Sequence, residues 1–226
     1  CLEFTANVSH ELKTPLTSIS GYAELIETGI AKPADTPDFA RKIHVEASRM
    51  IQLVNDILQL SHLDNVSETG AAPAMETVDL LDVARECVER QKVNARHSYI
   101  SLTFLGESAP VTGSRVLLDE LCQNLCDNAI RYNRPGGKVQ IITACTRDGH
   151  CTLTVKDNGI GIPKEAQTSV FERFYRVDKS RSKATGGTGL GLAIVKHIAR
   201  IHNARIKLDS VVDEGTTITV IFETAS

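Results

Sequence analysis

Apolar residues return every three or four positions at the start of this chain: Phe4, Val8, Leu12, Leu16, Ile19, Ala23, Ile26 and Ile30. That spacing is the period of an amphipathic α-helix with one buried stripe. After a short turn containing Pro33 and Pro37, the rhythm resumes through Phe39, Ile43, Ala47, Met50, Val54, Ile57 and Ser61. Two helices with one stripe each make an antiparallel hairpin, and a hairpin alone cannot cover both stripes. Pairing with a second copy completes a four-helix bundle, so burial alone leads us to expect a homodimer. Pro15 removes a backbone donor within the first helix and should bend it there.

His10 lies in the run Phe4-Thr5-Ala6-Asn7-Val8-Ser9-His10-Glu11-Leu12-Lys13-Thr14-Pro15-Leu16. At about 100° per residue it points away from the stripe, towards water. Thr14, Thr17, Gly21 and Glu24 fall beneath it on the same face, and Glu11 is its neighbour. An accessible imidazole beside a carboxylate can act as a nucleophile. Taken alone it is more simply a solvated helix histidine. The rest of the chain decides between the two.

Within 226 residues, no apolar run approaches the roughly 18 positions of a membrane span. No signal peptide is visible, and the chain opens on Cys1 without an initiator Met, as expected of a piece of something longer that begins inside a helix. The net charge of −3 supplies no global basic field, so nucleic acid is not an expected partner. The six cysteines (Cys1, Cys87, Cys122, Cys126, Cys145, Cys151) form no CxxC pair. They read as small core residues kept reduced, and structural zinc is not expected, although Cys122 and Cys126 are one helical turn apart.

Periodicity is lost from Asn65 to Met75, which reads as a linker. The charge balance changes there too: residues 1–66 hold 5 basic and 9 acidic side chains, the remainder 20 and 19. The resulting division is a hairpin over 1–66, a linker over 67–75 and a second domain over 76–226. In that domain Leu80–His97, Ser114–Tyr132 and Leu190–Ile201 read as helices. Ile100–Leu105, Val139–Thr146, Thr152–Lys156, Arg205–Ser210 and Thr216–Phe222 read as strands. The order implies a mixed sheet with helices on one face, an α/β sandwich, so the fold class is α + α/β.

Four features of the second domain point to one substrate class. Asp157-Asn158-Gly159-Ile160-Gly161 follows a strand, where a carboxylate can accept a hydrogen bond from a flat polar ring such as adenine. By itself a turn or a calcium loop could look the same. Gly186-Gly187-Thr188-Gly189-Leu190-Gly191-Leu192 opens a helix whose free N–H groups suit phosphate oxygens. The basic, loop-like residues before it, Arg176 to Lys183, do not make the strand that a dinucleotide-binding fingerprint requires. Asn124 and Asn128 lie one helical turn apart, followed by Arg131 and Tyr132. Amide oxygens suit Mg²⁺, which keeps several waters and otherwise relies on substrate phosphates. Last, Phe171-Glu172-Arg173-Phe174-Tyr175-Arg176 precedes Lys179, Arg181 and Lys183, as aromatic anchors for a cationic lid would.

Together these runs resemble the catalytic core of a two-component sensor histidine kinase over nearly the whole chain. His10 to Pro15 resembles the phosphoacceptor box, Asn124 to Tyr132 the asparagine box, and Asp157 to Gly161 the first glycine box. Phe171 to Phe174 is similar to the phenylalanine box and Gly187 to Gly191 to the second glycine box. Gly215-Thr216-Thr217 matches the short motif before the last strand.

The resemblance implies a homodimeric hairpin followed by an ATP-binding sandwich of the gyrase, Hsp90 and histidine kinase type. It implies that His10 receives the γ-phosphoryl group of ATP, with Glu11 as base. Asn128 would hold Mg²⁺ with Asn124 in support, Asp157 would read adenine, and Arg131, Arg176 and Arg181 would meet phosphates. Tyr132, Gly159 and Gly161, with Gly187, Thr188, Gly189, Leu190 and Gly191, would line the pocket. The next acceptor would be an Asp of a response-regulator receiver domain, docking near His10, Thr14, Thr17, Ser18 and Gly21. Thr14 falls where relatives with a His-Glu-x-x-Thr pattern position water, implying a phosphatase as well. The fragment would be cytoplasmic, in a parent anchored in a bacterial membrane.

Two other readings compete. Serine-phosphorylating regulators with a related ATP site lack the histidine-bearing hairpin, and a gyrase-like hydrolase needs a water-activating Glu where this chain has Asn124. Glu120, one turn earlier, is given no catalytic role.

Overall fold

The computed structural model describes residues 2–69, 73–177 and 187–223, which form two compact units divided between Gln59 and Leu60. In the first unit, α1 (Leu2–Glu27) and α2 (Thr36–Thr69) are long helices joined by a tight connection. Pro15 lies inside α1, which continues through it without interruption. Pro37 occupies the first turn of α2, where a missing N–H costs no helical bond. Near the connection the rings of Tyr22 and Phe39 stack at 5.5 Å, and the Lys42 ammonium stands 5.2 Å and 5.5 Å from the two ring centres. These contacts set the two helices side by side at their joined ends.

The stripes are only partly covered. Phe4, Val8, Leu12, Ile19 and Ile26 are half-buried, while Leu16 and Ile30 are 52% and 70% exposed. On α2 the inward positions are Leu53, Leu60 and Leu63 rather than Val54, which stays exposed with Val45, Ile51 and Leu58. A stripe displaced by one residue is still a stripe, because neighbouring positions differ by only about 100°.

The expected linker needs correcting. Helix α2 continues to Thr69, so positions 67–69 are helical. Leu60 and Leu63 are fully buried, and these two turns group with the second unit. Their apolar spacing continues the helical period past Ser61, and the polar residues after it did not stop the helix.

Among the described residues, the second unit holds α3 (Leu80–His97), α4 (Arg115–Arg131), α5 (Gly191–Ile201) and seven strands. β2 (Ser101–Gly106), β4 (Lys138–Cys145), β5 (His150–Asp157), β7 (Gly215–Glu223) and β6 (Arg205–Val211) form a sheet in that spatial order. β2 and β4 are parallel and the remaining neighbours antiparallel, so the sheet is mixed. Val139 and Ile141, Cys151, Leu153 and Val155, and Ile218, Val220 and Phe222 alternate inward along three central strands. The three helices bury Val83, Cys87, Leu118, Leu121, Leu125, Ile194 and Ile198, which close the core as a two-layer sandwich. β1 (Glu76–Asp79) and β3 (Pro110–Gly113) pair antiparallel as a separate ribbon that the sequence did not disclose, four residues being too short to show alternation.

The cysteines divide. Cys87, Cys122 and Cys126 are buried free thiols, but Cys145 and Cys151 form a disulfide with Cα atoms 4.1 Å apart. The expectation that all six stay reduced is therefore corrected. The antiparallel register of β4 and β5 sets these two residues directly opposite each other, a coincidence of pairing that spacing alone does not reveal. Among the described residues, no helix is long and apolar enough to cross a membrane.

Candidate nucleotide site and phosphoacceptor helix

Within the first unit, His10 is exposed on α1. Glu11 is half-buried, and its carboxylate lies 3.9 Å from the Arg49 guanidinium of α2. The Thr14 hydroxyl donates to the His10 carbonyl at 3.3 Å, and Thr17 and Ser18 make the same bond back to Lys13 and Thr14. These bonds turn the hydroxyls along the helix and keep the face beneath His10 low. Thr17, Ser18 and Gly21, with Tyr22, Glu24, Leu25 and Ile30, line an open groove of about 500 Å³.

In the second unit the nucleotide motifs converge. Asp157 ends β5, and its Oδ1 accepts the Gly159 N–H at 2.8 Å and the Thr216 N–H at 3.3 Å. Burial pushes its carboxyl up to about 6, against the pull of those two N–H groups. Both bonds fall on one oxygen, which leaves the other available to a planar donor. The Thr216 contact was not anticipated as such, although the Gly215-Thr216-Thr217 motif marked the segment.

Gly161 adopts φ +67, and a side chain there would strike the Val211 carbonyl, so the turn after Asp157 requires glycine. Asn158 fixes the turn from the other side: its Oδ1 accepts the Lys138 N–H at 2.6 Å.

The phosphate-loop residues meet α4. A Cβ on Gly191 would stand 3.0 Å from Asn124 Oδ1 and 3.6 Å from Asn128 Nδ2. One on Gly187 would stand 2.8 Å from the Tyr132 hydroxyl and 3.5 Å from Arg131 Nη1. Asn124 donates its amide to the Glu120 carbonyl at 3.0 Å, which turns Oδ1 towards the loop. Among the described residues no side chain caps the N-terminus of α5, the kind of helix end whose N–H groups suit an anion. Thr188 is buried, and its hydroxyl accepts the Leu190 N–H at 3.3 Å.

The aromatic segment seats on the same loop. Phe174, with φ 63, donates its N–H to the Gly189 carbonyl at 2.9 Å, and Arg176 Nη2 donates to the Thr188 carbonyl at 3.0 Å. Arg176 thus reaches the loop through the loop's own backbone. Arg181, Lys179 and Lys183 lie outside the described residues. Among the described residues no group of three or more His, Cys, Asp or Glu side chains could hold a metal. The Asn124 amide oxygen faces the loop at Gly191, with the Asn128 amide beside it and the Tyr132 hydroxyl at Gly187. Taken together, a half-buried carboxylate with a spare oxygen, helix N-terminal amides and flanking Arg and Asn side chains fit a purine nucleotide with its phosphates.

Family models agree with this geometry. Residues 2–66 match the His Kinase A phosphoacceptor domain, and residues 113–226 match the histidine kinase-, DNA gyrase B- and HSP90-like ATPase. The chain belongs to the two-component sensor histidine kinase family, of which it carries the catalytic core. It is 44% identical over 223 residues to the sensor-like histidine kinase SenX3 of Mycolicibacterium smegmatis, covering 96% of this chain and 56% of that protein. To the sensor protein kinase WalK of Staphylococcus saprophyticus it is 42% identical, covering 96% of this chain and 35% of the relative. It thus spans about half or less of these relatives. Among solved structures, the mycobacterial sensor histidine kinase MprB aligns with a TM-score of 0.58 and 32% identity over 66% of this chain and 97% of that one. Histidine kinase ThkA, solved in complex with the response regulator TrrA, shares the fold at a TM-score of 0.76 and 23% identity, over 99% of this chain and 61% of that one.

Proposed function

We propose that this chain is an ATP-dependent protein-histidine kinase that phosphorylates its own His10 and passes the group to an Asp of a response-regulator receiver domain. The observation that carries the reading is the Asp157 carboxylate, half-buried at a strand end with both of its bonds on one oxygen, in the unit that also holds the glycine-rich loop opening α5. Asp157 accepts the adenine amino group. Arg131, Arg176 and the α5 amides hold phosphates, and Asn128, supported by Asn124, holds Mg²⁺. Bound there, Mg²⁺ would offset charge on the transferring phosphoryl group.

In the transfer a ring nitrogen of His10 forms a bond to the γ-phosphorus, and the bond from that phosphorus to the β,γ-bridging oxygen breaks. ADP leaves with the electron pair. Glu11 takes the proton from the other ring nitrogen. The phosphoramidate then donates to the receiver carboxylate, which docks on the low face of Thr14, Thr17, Ser18 and Gly21.

Residues 1–66 act as the dimerising phosphoacceptor and 76–226 as the ATP-binding domain, within a longer, membrane-anchored parent. The exposed apolar residues Leu16 and Ile30 of α1 and Ile51, Val54 and Leu58 of α2 support pairing with a second copy. Thr14 orients the water that hydrolyses the phosphorylated regulator.

Pulse labelling tests this. A chain charged with γ-labelled ATP and Mg²⁺, freed of nucleotide and mixed with a receiver domain, should transfer label to it within minutes. Thr14→Ala should keep that transfer and lose most of the later release of phosphate. No transfer to any receiver tried contradicts the kinase relay, and unchanged release in the variant removes Thr14 from the phosphatase role.

A further inference from the structure

Around Arg173 three elements of the second unit meet through charged side chains that the nucleotide reading does not use. Arg173 Nη2 donates to both oxygens of Asp64, on the last turns of α2, at 2.6 Å and 2.9 Å. The same nitrogen lies 3.1 Å from His197 Nε2 on α5. His197 Nδ1 is 3.6 Å from Asp64 Oδ1 and has no hydrogen-bond partner of its own. A guanidinium can only donate, so Nε2 accepts and the ring proton sits on Nδ1, facing the carboxylate. All three side chains are a third exposed or less. The pairing is therefore more than a loose surface contact, which would contribute little.

The position of Arg173 gives the cluster its consequence. The next residue, Phe174, holds a left-handed backbone and bonds the Gly189 carbonyl of the phosphate loop. Arg176, in the same segment, bonds the Thr188 carbonyl. His197 sits two turns along the helix that the same loop opens. Asp64 therefore fastens the segment and helix that frame the loop from opposite sides. A left-handed non-glycine residue is strained and holds only when its surroundings fix it.

We propose that Asp64 is a positioning residue for the nucleotide pocket: by holding Arg173 against α5 it keeps Phe174 on Gly189 and the phosphate loop in its binding shape. A residue on the hairpin's own second helix thereby sets how well the pocket accepts ATP. The inference rests on the ATP-binding reading of that pocket.

The test measures binding of a fluorescent ATP analogue, and the ATP dependence of His10 labelling, in the full chain and three variants. Asp64→Ala should weaken analogue binding and raise the KM for ATP about tenfold, with the labelling rate at saturating ATP unchanged. Asp64→Asn should fall between, and Asp64→Glu should restore at least half of the lost affinity. A residue important only for folding would lower the maximal rate and leave KM alone, and that split overturns the proposal. So does unchanged affinity in Asp64→Ala. Should that variant fail to fold, Asp64→Asn decides, with a threefold or larger KM rise expected and none contradicting. Wild-type chain that neither binds the analogue nor takes label defeats the pocket reading itself, which a variant-only null result does not.

Discussion

At Asp157 two demands pull in opposite directions. Burial holds the proton on its carboxyl up to about pH 6, whereas reading an adenine amino group calls for the ionised form. The sign follows directly. The folded pKa lies above the ordinary carboxylate value, so this group's contribution to the empty protein is complete below about pH 4 and is lost as pH rises through about 6. Nucleotide binding runs the other way and should fall as pH drops through about 6. Asp157→Asn should raise the melting temperature of the empty protein at pH 7 and weaken nucleotide binding by about 10- to 150-fold, the equivalent of a charge-assisted bond of about 1.5–3 kcal/mol. Calorimetry on both forms checks this, and a variant that binds ATP like the wild type removes Asp157 from adenine recognition. Asp157 was legible as a candidate because a carboxylate stands at a strand end before two glycines, although a turn or a calcium loop could look the same. Its bond from Thr216 and the Asp64–Arg173 pair were not. Both join residues far apart in the chain, and neither residue type is distinctive where it stands.

Helices announced themselves through their apolar period, and α3, α4 and α5 begin and end within a residue or two of where that period places them. Elements too short to show a period stayed hidden, which is why β1 and β3 were missed. The end of α2 was misjudged because composition turns polar after Leu63, whereas the helical backbone runs on to Thr69. The pairing of Cys145 with Cys151 depended on hairpin register, which no spacing rule supplies. The exposed residues of α2 give this scale its prediction. Ile51→Glu combined with Leu58→Glu removes two apolar contacts of about 1.5–3 kcal/mol each from a paired bundle. Dimer affinity should fall at least about a hundredfold, seen as a monomer mass by light scattering at micromolar concentration. A dimer of unchanged affinity would place the contact elsewhere.

On the proposed reading, the whole chain joins a hairpin that presents one imidazole with a sandwich that holds one nucleotide. Neither unit suffices for the proposed chemistry. Among the described residues the candidate acceptor, His10, lies on the hairpin, and the candidate phosphate loop lies on the sandwich. That division explains why the sequence conveyed function more readily than fine structure: each motif needs only local backbone and a few side chains, whereas their mutual support comes from packing. The most direct measurement of the account is covalent. Wild-type chain incubated with γ-labelled ATP and Mg²⁺ should acquire label that is lost in acid and kept in base, while His10→Gln should bind nucleotide normally and acquire none. Label that persists in His10→Gln, or that survives acid as a serine ester would, contradicts it.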